Sequence, residues 1–171
     1  REVFFRFYEF HLKYKSHPGA VYYMLPYISE INNFSIEDKL WFAYINGCSQ
    51  NVLSTYVIYS QFPDFKNLDL EKFSVWFREN YKKLGWDTDR RYVKNNFEKC
   101  IENYKMLVGD KTQEEFFNSL ANTNNEYENF RNVWKFVITE FFLFGRLSTF
   151  SYLEYLRIMG LNIRSEEHTS E

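Results

Sequence analysis

The chain has 171 residues, 45% of them hydrophobic and 26% charged, with 21 basic and 23 acidic side chains. That profile fits one globular domain burying roughly two-thirds of its unfolded surface. Two cysteines, Cys48 and Cys100, without CxxC or Cys/His ligand spacing, exclude a disulfide framework and a zinc cluster, and no apolar run reaches the ~18 residues of a membrane span.

A reduced cytoplasmic setting is therefore expected, with no membrane partner, no metal and no cofactor. The start at Arg1, inside an amphipathic pattern, reads as a missing N-terminus. The last eight residues, Arg164–Glu171 (RSEEHTSE), read as a translated sequencing adapter. The expectation is one helical domain over 1–163, a fragment incomplete at both ends, followed by a disordered artefact over 164–171. The tail carries one Arg and three Glu, so 21 and 23 become 20 basic and 20 acidic residues. A neutral domain gives no global electrostatic argument for nucleic acid and none against a local basic groove.

Aromatic residues reach 22%, with Phe 19, Tyr 14 and Trp 4. Either they are stacking platforms for bases, or they follow from AT-rich codons, which the abundant Asn also suggests.

In chain order, helical spacing dominates and strand alternation is nearly absent. Glu2–Lys15 places Phe4, Phe7, Tyr8 and Leu12 on one side, and Pro18 opens a second helix to about Ser29, with Pro26 expected to kink or end it. Ser35-Ile-Glu-Asp38 resembles a capping box with Asp in place of Glu. The helix it opens runs through Trp41, Tyr44 and Ile45 until Gly47-Cys-Ser49 interrupts. A fourth helix carries Val52, Leu53, Tyr56, Val57 and Ser60, and Phe62-Pro-Asp64 stops it. Asp69 caps a helix with the stripe Leu70, Phe73, Phe77, Tyr81 and Leu84, closed by Gly85. Thr88 or Asp89 starts the next, turning Val93, Phe97, Cys100, Ile101, Tyr104 and Val108 inward. Thr112-Gln-Glu-Glu115 is a capping box for a short helix to about Leu120. A long helix then carries Phe130, Val133, Trp134, Val137, Phe141 and Phe142 to the core. Ser148 caps a last helix, Thr149–Met159, ended by Gly160. The fold class is all-α, a compact bundle of eight or nine short helices.

The common nucleotide, hydrolase, zincin and deaminase motifs are absent. His11 and His17 suit a surface or helix-end role better than catalysis. Three places could carry chemistry. In Trp41–Ser60, small polar residues including Ser49 allow a ligand backbone to approach or, equally, tight helix packing around Gly47. Asp87-Thr-Asp-Arg90-Arg91, with Lys94, offers guanidinium groups to phosphate at a helix start, or solvated capping charges. In Phe144-Gly145-Arg146-Leu-Ser148, backbone N–H groups, a hydroxyl and a guanidinium could converge on one anion. Arg146 follows a very apolar helix, so half-burial is expected, with Glu154 as a structural partner if the site is not functional.

Tyr8-Glu-Phe-His11-Leu, Asp38-Lys-Leu-Trp-Phe-Ala-Tyr-Ile-Asn-Gly47-Cys-Ser, Phe62-Pro-Asp64 and Phe144-Gly-Arg-Leu-Ser-Thr-Phe150, in this order, resemble the α-glutamyl/putrescinyl thymine pyrophosphorylases, also called amino acid:DNA transferases. The family belongs mainly to phages with hypermodified thymine. The resemblance implies a helical core related to DNA glycosylases. It also implies DNA with a flipped, modified thymine and a small amine, glutamate or putrescine, as substrates. In that reaction the amine displaces pyrophosphate from 5-hydroxymethyluracil. It further implies anion or pyrophosphate binding by Arg146, Ser148 and Gly145, and by Arg90 and Arg91, with Trp41 and Tyr44 stacking on the base. No catalytic base is identified. A non-catalytic helical nucleic-acid-binding module and a helical protein-interaction domain are the alternatives.

Overall fold

The structure, a computed structural model, describes residues 20–166 and Glu9, with side chains from Met24 onward. The expected helix over Glu2–Lys15 (Glu9 apart), the Tyr8–Leu12 motif, both histidines and Pro18 lie outside the described residues.

Among the described residues there are nine α-helices and no strand, so the all-α expectation holds. They are α1 (Ala20–Ile31), α2 (Ile36–Ser49), α3 (Val52–Gln61), α4 (Leu70–Asn80), α5 (Arg91–Lys94), α6 (Phe97–Val108), α7 (Gln113–Leu120), α8 (Glu126–Glu140) and α9 (Arg146–Ile158). Short 3-10 turns at Tyr81–Lys83 and Thr88–Arg90 link α4 to α5.

The bundle is organised around α2, which packs on α3, α5, α7 and α9. Every residue from Leu40 to Ser49 is buried, so this helix is covered on all sides. Its aromatic rings are core. The rings of Tyr44 and Tyr104 stack at 3.8 Å, and Trp41 stacks on Tyr44 at 6.0 Å. Their polar atoms are all used: Trp41 Nε1 donates to Phe62 O at 2.8 Å, Tyr44 Oη to Cys100 O at 2.7 Å, and Tyr104 Oη to Gln113 Oε1 at 2.8 Å. A buried aromatic with its polar end satisfied keeps its apolar burial at no desolvation cost.

Three of the caps read from the sequence form as expected. Asp38 N donates to Ser35 Oγ while Ser35 N donates to Asp38 Oδ2, and Thr112 and Glu115 reciprocate in the same way. Asp69 accepts from the amides of Glu71 and Lys72.

Several elements depart from expectation. Helix α1 runs through Pro26 to Ile31, because burial of Leu25 and Ser29 on either side outweighs one lost amide bond. Gly47 does not interrupt α2; the helix turns off at Gln50, whose φ is 48°. Helix α3 buries Val52 and Ile58 but not its other apolar residues: Leu53 is 75% exposed and Tyr56 and Val57 are also exposed, while Ser54 and Thr55 are buried. Hydrogen bonds decide this. Thr55 Oγ1 donates to Asn46 Oδ1 at 3.2 Å and lies 2.8 Å from Ser49 Oγ, and Asn51 Oδ1 caps Ser54 N. The expected helix from Thr88 to Val108 is split by a turn at Asn95-Asn96, with Tyr81 Oη bonded to Asn95 Oδ1. Helix α8 ends at Glu140, leaving Phe141 buried but Phe142 exposed. The last helix starts at Arg146, not Thr149, and Gly145 rather than Ser148 is its N-cap. Residues 164–166, assigned to the disordered tail, pack on the head of α8: Arg164 N donates to Glu126 O at 3.0 Å and Ser165 is buried.

Candidate functional site

The three chemistry-bearing stretches meet in space. The loop after α4 is pinned to the α2–α3 junction: Trp86 Nε1 donates to Cys48 O at 2.9 Å, Asp87 N to Ser49 O at 2.9 Å, and Gly85 N to Ser54 Oγ at 2.8 Å. Asp87 then tightens the turn, accepting from Asp89 N through Oδ1 and from Arg90 N through its carbonyl. This fixed turn sends the Arg90 side chain into the protein, where it is only 2% exposed.

There it reaches the loop between α8 and α9. Arg90 Nη1 donates to Leu143 O at 3.0 Å and to Tyr92 Oη at 3.1 Å, and the guanidinium carbon lies 5.0 Å from the Phe144 ring centroid. Its other donors, Nε and Nη2, are buried without a hydrogen-bond partner. A buried charge without a carboxylate is costly unless a ligand completes it.

The α8–α9 loop is held by α6. Asn103 Nδ2 donates to Glu140 O at 3.2 Å, and Phe142 N donates to Asn103 Oδ1 at 2.9 Å. Leu143 adopts φ 60°, a left-handed conformation costing about 1 kcal/mol for a non-glycine residue. Phe144 anchors the loop in the core, 6.0 Å from the Tyr44 ring and 5.3 Å from that of Tyr152.

Gly145 then opens α9 in extended conformation with no side-chain cap, and a Cβ placed there would meet nothing within 4 Å. The Ser148 hydroxyl turns back to donate to Gly145 O at 3.1 Å. The first amides of α9 are therefore left for an external acceptor, and the helix dipole favours an anion in front of them.

Each expected site residue has a definite place. Arg90 is buried behind the loop, and Arg91 is exposed on α5. Gly145 and Arg146 are exposed and Ser148 is buried. The half-burial expected for Arg146 is not observed, and its expected partner is taken. Glu154, fully buried, accepts from Arg157 Nε at 3.2 Å and Nη2 at 3.1 Å. Trp41 and Tyr44 are 0% exposed and packed among core rings, so this arrangement offers neither face to a base. Ser49 Oγ closes the junction, accepting from Asn51 N at 3.1 Å and pairing with Thr55. At Gly47 a Cβ would stand 2.9 Å from Tyr152 Cδ2, so the small residue there serves helix packing.

Sequence reasoning missed Asn103, Leu143 and Tyr92. Leu143 and Asn103 act through partners 53 and 39 positions away, which no local spacing signals, and Tyr92 meets Arg90 only because the turn before it aims Arg90 inward.

The buried phenols are chemically quiet. Burial holds Tyr44, Tyr104 and Tyr152 well above the ordinary phenol value, so none is a base near neutrality. The Cys100 thiol is raised by its hydrogen bond with Cys48 and by burial. Among the described residues no group of three or more His, Cys, Asp or Glu could hold a metal ion, and no helix is long and apolar enough to cross a membrane. A surface concavity of about 600 Å³ is lined by Arg78, Glu79, Tyr81, Lys82 and Lys83.

A model of a protein family described as amino acid:DNA transferase matches residues 22–167. A serinyltransferase of Salmonella phage ViI is 31% identical over 130 residues, which cover 75% of this chain and 31% of the relative. The chain thus spans less than a third of that relative's length. No solved structure matches.

Proposed function

From its place in the amino acid:DNA transferase family, to which the chain belongs, we propose that it contributes to moving an amino acid's amine onto pyrophosphorylated 5-hydroxymethyluracil in DNA. The amine nitrogen attacks the C5 methylene carbon, forming a C–N bond. The C–O bond to pyrophosphate breaks, the leaving group takes the electron pair, and the new ammonium gives a proton to solvent. The observation that carries this reading is the 31% identity, over three-quarters of the chain, to a phage serinyltransferase. Serine therefore joins glutamate and putrescine as a candidate donor.

The uncapped start of α9 supports it. A departing pyrophosphate needs donors already oriented where its charge develops. The free amides after Gly145 and the exposed Arg146 supply them from a stretch with open space in front. Ser148 orients the first turn, and the exposed Arg91 adds positive charge on α5. With Trp41 and Tyr44 buried, rings open to a flipped base beside Arg90 are Tyr92, 52% exposed and bonded to Arg90, and Phe142, 38% exposed and next to Leu143. The concavity bearing Lys82 and Lys83 suits the DNA backbone.

The test is mass analysis of nucleosides released from pyrophosphorylated DNA after incubation with the chain and an amino acid. Wild type should yield the nucleoside carrying the amino acid through its nitrogen on the C5 methylene, and Arg146→Ala should reduce its rate on the order of a hundredfold without loss of helicity. Absence of this N-linked product from wild type contradicts the transferase reading. A folded, fully active Arg146→Ala variant removes Arg146 from the site.

A further inference from the structure

Arginine grips a carboxylate best through one edge of its guanidinium, where Nε and Nη2 present parallel N–H bonds. Among the described residues this edge is in use twice. Arg78 places Nε and Nη2 both at 3.1 Å from Glu98 Oε1. Arg157 places Nε and Nη2 at 3.2 and 3.1 Å from Glu154 Oε2. Arg90 presents the same edge with nothing on it: Nε and Nη2 are the donors left without a partner, on a side chain 98% buried. The remaining nitrogen, Nη1, is spent on Leu143 O and Tyr92 Oη, which with the Phe144 ring fix the plane of the fork. Among the described residues no carboxylate occupies it.

Resting on the transferase reading, we infer that Arg90 binds the α-carboxylate of the incoming amino acid and so selects α-amino acids over simple amines. A monoanion matches the single buried charge one to one and is planar, like the fork. A pyrophosphate carries more charge and must leave into water, which suits the exposed start of α9. Tyr92, half-exposed, takes up Nη1 and leaves the Nε and Nη2 edge to the ligand.

Calorimetric titration of the full chain tests this with L-serine, L-serinamide, putrescine and inorganic pyrophosphate as probes. L-serine should bind, and serinamide and putrescine, lacking the carboxylate, should bind at least about tenfold more weakly. Arg90→Lys should weaken L-serine by a similar factor while leaving pyrophosphate unchanged. Equal affinity for serine and serinamide, or no serine binding at all, overturns the inference. So does an Arg90→Lys variant that loses pyrophosphate but keeps serine, since phosphate would then occupy the edge. If that variant does not fold, the comparison of serine with serinamide on wild type decides alone. The transfer assay separates this from the reaction itself. Transfer of serine and serinamide at equal rates sinks the carboxylate clamp and keeps the transferase. Arg90-dependent serine binding with no transfer does the reverse.

Discussion

Arg90 and Arg146 exchange the environments their sequence contexts suggest. Arg146 follows the apolar stretch Trp134–Phe144 yet is exposed, because the chain leaves the core at Gly145. Arg90 sits among Asp87, Thr88 and Asp89, a solvated-looking run, yet is buried, because the loop's bonds to Cys48, Ser49 and Ser54 aim it inward. Local composition reports average exposure, while long-range bonds decide the individual side chain. Gly47 was legible as a packing residue, though not what packs on it. Gly47→Ala should lower stability by about 1–3 kcal/mol in denaturant melts, since its methyl meets the rigid Tyr152 ring at 2.9 Å. Glu154 is a structural anion. Glu154→Gln leaves the Arg157 charge in a mostly buried position (16% exposed) without its carboxylate, and should cost about 3 kcal/mol. The same variant should leave L-serine affinity unchanged, because its partner is Arg157 and not Arg90 or Arg146.

At the level of elements, capping boxes and apolar stripes were readable because both ends of each interaction lie within one turn. Ser35 with Asp38, Thr112 with Glu115, and the pair Phe73 and Phe77 all formed as their spacing implied. The facing of helix α3 was not legible, because it is set by Asn46 and Ser49 on α2 and by the backbone of Gly85, none of them on α3. A cap from another helix was equally invisible. The Glu37 carboxylate accepts from Gln113 N at 3.1 Å and Glu114 N at 2.7 Å, holding the start of α7 against α2. Glu37→Ala should therefore destabilise by roughly 1–2 kcal/mol, as loss of an N-cap does. The thermal midpoint of Glu37→Ala against wild type checks this; an unchanged midpoint would mean the intrahelical box of Thr112 suffices.

For the whole molecule, an aromatic core around α2 carries a polar seam from Asn46 through Ser49, Thr55 and the Gly85–Arg90 loop. The aromatic excess in the composition is largely this core, and the exposed rings beside Arg90 and Leu143 are few. Cys48 and Cys100 lie inside the core and both are free thiols. The Cys100 thiol, held up by Cys48 and by burial, should resist a disulfide reagent at mildly alkaline pH, and both should react once the chain unfolds. Prompt reaction of either in the folded chain would show that the core opens. DNA binding, with Lys82 and Lys83 on the backbone, should weaken with salt, and replacing both by Gln should reduce the log–log slope by about two.

On this reading the Arg90 edge and the start of α9 form one ligand site with two anion-binding ends. Nuclear magnetic resonance of the full chain, observing the Arg side-chain Nε–H signals and the backbone amides together, tests it most directly. Inorganic pyrophosphate should move the amides of Arg146, Leu147 and Ser148. L-serine should move the Arg90 Nε–H and the Leu143 amide, with both responses retained when the ligands are added together. Responses confined to the Arg78–Lys83 concavity, or an Arg90 signal indifferent to serine, would contradict it.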